Sequence, residues 1–230
     1  MNDLKTRPKQ PKAKDHYLKQ DYEDFNLWID YWYQQKYIED TKPKKILEIG
    51  KGTGTLQVIM KKKGYQFTTL DIDKNLSPDI VGDVIQIPIK DNTYDTVCAF
   101  EVLEHLPFDE FSKAVNELKR VAKNYIIISL PYASFYLGLA FQPFYMKGLD
   151  FLFKLFKIKP FEPVYYNISV PFFFLDKEGM IKAHAWEVGR KNFPLSKIRK
   201  VFKDSGLLIK KESDRIFYPY HRYFILKKES

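Results

Sequence analysis

Residues 44–54 read K-K-I-L-E-I-G-K-G-T-G, and no other stretch limits the fold so tightly. Ile46, Leu47 and Ile49 make a short apolar run, and glycines follow at the alternate positions 50, 52 and 54. No breaker interrupts residues 55–60, and the next glycine is Gly64. This is the pattern of a buried strand, a tight turn and the first turns of a helix. Glycine accepts the left-handed backbone such a turn needs and leaves room where a Cβ would intrude. The helix N-terminus then aims its unpaired N–H groups at whatever rests on the turn. Taken alone, the motif is equally a plain tight turn of any α/β protein.

It does not stand alone. Thr68-Thr69-Leu70-Asp71 reads as a second strand ending in an acid. Asp71 falls roughly 20 residues after the first glycine, the offset at which an acid meets ribose hydroxyls in a βαβ nucleotide site. Residues 80–84 place Asp83 at the end of a short third strand, and residues 94–100 form a fourth, followed by Glu101-Val102-Leu103-Glu104-His105-Leu106. The glycine spacing is G-x-G-x-G. A dinucleotide fingerprint would want glycine at 55, where the chain has Thr55, and this disfavours a nicotinamide enzyme. With E-x-G-x-G-x-G at 48–54, L-D-I-D at 70–73, G-D at 82–83 and E-V-L-E-H-L at 101–106, the chain resembles the class I S-adenosylmethionine-dependent methyltransferases, in the type 11 branch. The likeness is strong over residues 44–131 and looser beyond.

The resemblance implies a Rossmann-like, doubly wound, seven-stranded and mostly parallel sheet, with the last strand antiparallel between strands 5 and 6. It implies S-adenosyl-L-methionine as cofactor. Gly50, Gly52 and Gly54 would let the backbone approach its amino-acid half, and Glu48 would orient the glycine loop. Asp71, with Ile72 beside it, would take the ribose hydroxyls. Asp83 and Val84 would lie by the adenine, and Glu101 by the methionine moiety. Asp71 and Asp83 are also residue types that cap turns. Glu104 reads as readily as a solvated or capping residue. Methyl transfer from a sulfonium is a displacement that needs alignment and exclusion of water, with a base only when the acceptor must lose a proton. His105, His184 and Glu187 are the candidates for such chemistry, and His221, after Pro219-Tyr220, is a further histidine near the C-terminus. The alternative for the H-A-W-E run at 184–187 is a structural turn that packs Trp186 on the core.

The 230 residues suit one domain with decoration. The single cysteine, Cys98, falls in a predicted strand and fits a reducing, cytoplasmic setting as a core thiol. No signal-peptide pattern is visible. The formal charge of +9 is spread over many segments, so a lysine-rich solvated surface is favoured over nucleic-acid binding. Four scattered histidines and one cysteine show no ligand spacing, so no metal is expected. A relative that binds the cofactor without catalysis, or a protein or RNA methyltransferase, is the rival reading.

Along the chain, residues 1–14 are expected to be a disordered basic tail, and a helix is expected over 16–40. Its aromatic stripe comprises Tyr17, Phe25, Trp28, Ile29, Trp32, Tyr33 and Tyr37, packed on the domain flank or covering the cofactor. The core elements are strands 45–50, 66–71, 80–83, 94–100 and 125–130, with helices 53–63 and 108–122. Residues 132–193 are an aromatic-rich cap insertion, and 194–228 return to the fold with a helix and two strands. Within the insertion, Leu149, Leu152, Phe153 and Phe156 recur at helical spacing near Lys154, Lys157 and Lys159. That pattern suits a lid on a small-molecule, lipid-like or glycan acceptor, a peripheral membrane patch, a small cap core or a dimer contact.

Overall fold

The structure is a computed structural model that describes Tyr17 and residues 22–141, 164–171, 184–214 and 220–229. Helix α1 (Phe25–Asp40) leads into β1 (Lys45–Ile49), α2 (Thr55–Lys62), β2 (Gln66–Asp71) and the two-residue β3 (Ile80–Val81). Then come β4 (Tyr94–Phe100), α3 (Phe108–Val121), β5 (Ala122–Pro131), β6 (Ser134–Phe141) and β7 (Val164–Pro171). Helix α4 (Leu195–Asp204), β8 (Leu207–Asp214) and β9 (His221–Lys228) complete the described elements. Seven strands form one sheet in the order β3-β2-β1-β4-β5-β9-β8. The first five run parallel, and β9 lies antiparallel between β5 and β8, as the resemblance implied.

The sheet separates two apolar layers, and the period-two alternation of the strands assigns side chains to each. Leu47 and Ile49 of β1 join Val97, Ala99, Ile126, Ile128, Phe224 and Leu226 against α3 and α4. Ile46 joins Cys98, Phe100, Ile127, Tyr223 and Ile225 under α1 and α2. Each fully buried Leu or Ile contributes roughly 1.5–3 kcal/mol by leaving water. Burial pushes the Cys98 thiol well up, so it is a core residue and not a nucleophile.

Three expectations change. The helix expected over 16–40 is interrupted: Tyr17 is helical, residues 22–24 are not, and α1 starts at Phe25, where Asp24 in extended conformation accepts from Leu27 N at 2.9 Å and caps it; residues 16 and 18–21 lie outside the described part. Its stripe is also turned: Tyr31, Tyr33, Tyr37 and Ile38 are buried, while Phe25, Trp28 and Trp32 are at least half exposed. With aromatics on every side of a helix, periodicity does not select the buried face. Last, the cap does not extend to 193. Trp186 is fully buried among Phe108, Phe111 and Phe193, with its ring N–H donating to Leu106 O at 3.0 Å. Val188 N donates to Pro131 O, and Ala133 N to Val188 O, so this segment is stitched to the end of β5. Strands β6 and β7 pair as a separate two-stranded sheet, with Phe135, Ile168 and Val170 exposed. The Leu149-to-Phe156 face lies outside the described residues. No described helix is long and apolar enough to cross a membrane.

Candidate active site

The carboxyl ends of β1, β2 and β4 open into one cavity of about 310 Å³, within the range of small-molecule sites. The glycine turn is its floor. Gly50, Gly52 and Gly54 all have left-handed φ, at 83°, 52° and 79°. A Cβ on Gly50 would stand 2.4 Å from Val102 Cγ2, so the position excludes any side chain. Gly54 caps α2, and Gly50 N donates to Leu70 O at 2.8 Å, tying the turn to β2.

Asp71 closes this end. One carboxylate oxygen accepts from Lys51 N at 2.7 Å and the other from Asp73 N at 2.9 Å. Each oxygen keeps a lone pair beyond the backbone bond it receives. Burial pushes this carboxyl up, and the backbone bonds oppose the shift. Glu48 lies behind the turn, buried on β1, with Oε2 accepting no hydrogen bond from a described residue. Burial, and then the charge of Asp71, pushes its carboxyl well above the usual range. Three tyrosines from the N-terminal side, Tyr17, Tyr22 and Tyr31, also line the cavity. Tyr31 Oη is 2.9 Å from Thr53 Oγ1, and Glu23 accepts from the Thr55 hydroxyl, so this segment is fastened to the glycine turn.

The opposite wall is ionic. Glu101 takes a left-handed φ of 53°, a strained backbone for a side-chain-bearing residue, as β4 turns into the short 3₁₀ segment Leu103–His105. Its Oε2 lies 3.0 Å from His221 Nε2, and His221 Nδ1 lies 2.9 Å from Asp30 Oδ2. Tyr223 Oη donates to Asp30 Oδ1 at 2.8 Å. Burial works to push the His221 imidazole down, but Glu101 and Asp30 outweigh it and hold it at about 10, so it carries its proton at neutral pH. Burial favours the neutral form of Glu101, yet the His221 charge holds that carboxyl below its usual range. Glu104 is fully buried and pushed well up, by burial and then by the charge of Glu101. His184 Nδ1 is 3.2 Å from Glu187 Oε1, while Arg190 donates to Glu187 Oε2 at 2.8 and 2.9 Å.

Of the residues read from the sequence, Glu48, Gly50, Gly52, Asp71, Glu101, His105 and His184 line the cavity together. Gly54, Ile72, Asp83 and Val84 do not line it. Asp83 Oδ1 accepts from Ile85 N at 3.2 Å, the turn-capping use, and Val84 is buried in the core. Glu187 is wholly buried and holds His184 and Arg190, so it positions others and does not face the cavity. Glu104 is a buried wall residue, not a solvated one. Glu104, His105 and His184 bring ligand-type atoms within 4.8 Å of one another, although no metal spacing was read from the chain. The local signal was Glu101-x-x-Glu104-His105, one helical turn; His184 comes from far along the chain. Asp30 was missed because it is a lone acid among aromatics, although 30, 33, 34 and 37 share the buried face.

Residues 47–128 match the family model described as a methyltransferase domain. An uncharacterised protein of Methanocaldococcus jannaschii is 29% identical over 184 residues, covering 74% of this chain and 78% of that protein. Among solved structures, magnesium protoporphyrin IX methyltransferase of Synechocystis with bound S-adenosylhomocysteine superposes with a TM-score of 0.56 at 17% identity, covering 96% of this chain and 89% of that one. A SAM-dependent methyltransferase from Aquifex aeolicus gives 0.57 at 15% identity, covering 96% and 100%. Residues 47–128 thus match a methyltransferase domain, and the seven-stranded sheet, including its strands beyond residue 128, has the fold of these S-adenosylmethionine-dependent methyltransferase structures.

Proposed function

We propose that this chain binds S-adenosyl-L-methionine in the cavity above β1, β2 and β4 and transfers its methyl group to a small-molecule or lipid-like acceptor. The observation that carries the reading is the Gly50 cradle, where no Cβ fits, facing the Asp71 carboxylate at the adjacent strand end. Both suit the cofactor: backbone can approach closely at the glycines, and Asp71 has lone pairs for a pair of ribose hydroxyls. Bound there, the cofactor supplies a methyl group already activated by its sulfonium charge. The protein's part is to align and to exclude water. Tyr17, Tyr22 and Tyr31 wall off the glycine side. Glu101, held by His221, keeps a negative charge in the cavity wall, which suits a cationic centre. His221 is already protonated and serves as that anchor. The exposed apolar side chains of β6 and β7 favour an apolar acceptor or a peripheral membrane contact.

Calorimetric titration of the purified chain with S-adenosylhomocysteine, with NAD in parallel, tests this reading. Micromolar binding of the first alone is expected. Tight binding of NAD in its place, or of neither by folded protein, would sink it.

A further inference from the structure

Once the glycine turn and Asp71 are given to the cofactor, one corner of the cavity is left over. Glu104 is fully buried, and neither of its carboxylate oxygens accepts a hydrogen bond from a described residue. Glu101 Oε1, one turn earlier, is buried and equally without one. Leaving a buried polar group unsatisfied is unfavourable, and Glu104 presents two such oxygens here. Two imidazoles face the same corner. His105 Nε2 lies 3.9 Å and His184 Nε2 4.0 Å from Glu104 Oε1.

We propose that Glu101, Glu104, His105 and His184 bind a divalent cation. Ligands about 2.1 Å from an ion stand roughly 3–4 Å apart, and the ligand atoms of Glu104, His105 and His184, all within 4.8 Å of one another, are near that spacing. The outer layer is also in place. The Glu187 carboxylate at Nδ1 of His184 leaves Nε2 to face the corner, and Arg190 fixes Glu187 in turn. A carboxylate behind a histidine is the usual support for a metal-ligating imidazole. Glu101 gives Oε2 to His221 and leaves its buried Oε1 without a described donor. Two carboxylates and two imidazoles, without sulfur, suit Mn²⁺, Fe²⁺ or Zn²⁺ better than Cu⁺, and better than Ca²⁺ or Mg²⁺, which prefer oxygen alone. An octahedral ion with four protein donors keeps two positions for water or an acceptor oxygen. The corner's geometry stands without the methyltransferase reading; only the use of those positions rests on it.

The test is titration of the full chain, first stripped with a chelator, using MnCl₂ followed by electron paramagnetic resonance and ZnCl₂ followed by calorimetry. One equivalent is expected to bind with micromolar or tighter affinity. Glu104→Gln and His184→Ala each weaken it at least tenfold, and Glu187→Gln, acting through His184, about tenfold. Should Glu104→Gln fail to fold, His105→Ala, at a partly exposed side chain, replaces it. No binding by the folded wild type overturns the site, as does binding that survives in both Glu104→Gln and His184→Ala. S-adenosylhomocysteine is titrated on the same metal-free preparation. Its failure with cation binding intact counts against the cofactor reading and leaves the cation site standing.

Discussion

The Nε2 atom of His221 lies 3.0 Å from Oε2 of Glu101, so the first residue of the last strand holds the strained turn at the end of β4. Asp30 on α1 completes the link from the other ring nitrogen. Removing the cation would leave two buried carboxylates facing each other. His221→Ala is expected to destabilise the fold by about 3–5 kcal/mol, the scale for breaking a buried pair from one side. Urea denaturation measures it; a loss within 0.5 kcal/mol would show that the bridge is not a structural tie.

Gly50→Ala is expected to weaken S-adenosylhomocysteine binding at least tenfold while far-ultraviolet circular dichroism stays native. Two costs act there, a left-handed φ of 83° and a contact of 2.4 Å with Val102 Cγ2. Val102→Ala in the Gly50→Ala background relieves the second cost only, so affinity should recover in part. Full recovery would mean that the backbone conformation carries no cost.

Asp71→Ala should likewise reduce that affinity tenfold or more, since the acceptor for Lys51 N, Asp73 N and the ribose hydroxyls is lost together. Asp71→Asn keeps one acceptor oxygen and should fall between. An unchanged dissociation constant in Asp71→Ala would remove the ribose assignment.

Trp186→Ala is expected to cost about 3–5 kcal/mol, as for a large aromatic removed from a core. Trp186→Phe should cost less, losing mainly the hydrogen bond to Leu106 O. A stability change under 1 kcal/mol for Trp186→Ala would return residues 184–193 to the cap.

Asp95 gives a pH signature away from the cavity. Its Oδ2 accepts from Lys44 N and Lys45 N at 2.9 Å each, and its Oδ1 pairs with Lys123 at 3.2 Å. Burial pulls its carboxyl up, but these partners win and hold it below the usual value. The folded pKa is thus below the unfolded one. Its contribution is full above about pH 4 and fades as pH falls through the folded value. Between pH 5 and pH 3, the melting temperature of the wild type should therefore drop more steeply than that of Asp95→Asn. Parallel curves would contradict this.

What the chain disclosed depended on range. The β1 turn was legible because its code is local: an apolar triplet, three glycines at alternate positions and an uninterrupted helix. The acid at Asp71 followed from an offset, and the strand ends converge on one cavity as the alternation of strands and helices requires. The orientation of α1 was not legible, because Trp28 and Trp32 are as apolar as Tyr33 and Tyr37, and docking against the sheet, Tyr223 included, is what distinguishes the two faces. Neither was the ionic wall. Asp30, Glu101 and His221 meet from three distant segments, and no spacing rule links them. His184 meets Glu104 the same way, across an insertion whose length carries no geometric information.

The chain holds a single thiol, and Cys98 sits fully buried in β4, hydrogen-bonded between β1 and β5 at the middle of the sheet. Its side chain lies in the layer under α1 and α2, so a sulfhydryl reagent can reach that atom only when this covering layer lifts or the central strands part. The rate of its modification is therefore a clock for opening of the core on that face of the sheet, blind to fraying at the edge strands, and it needs no engineered label.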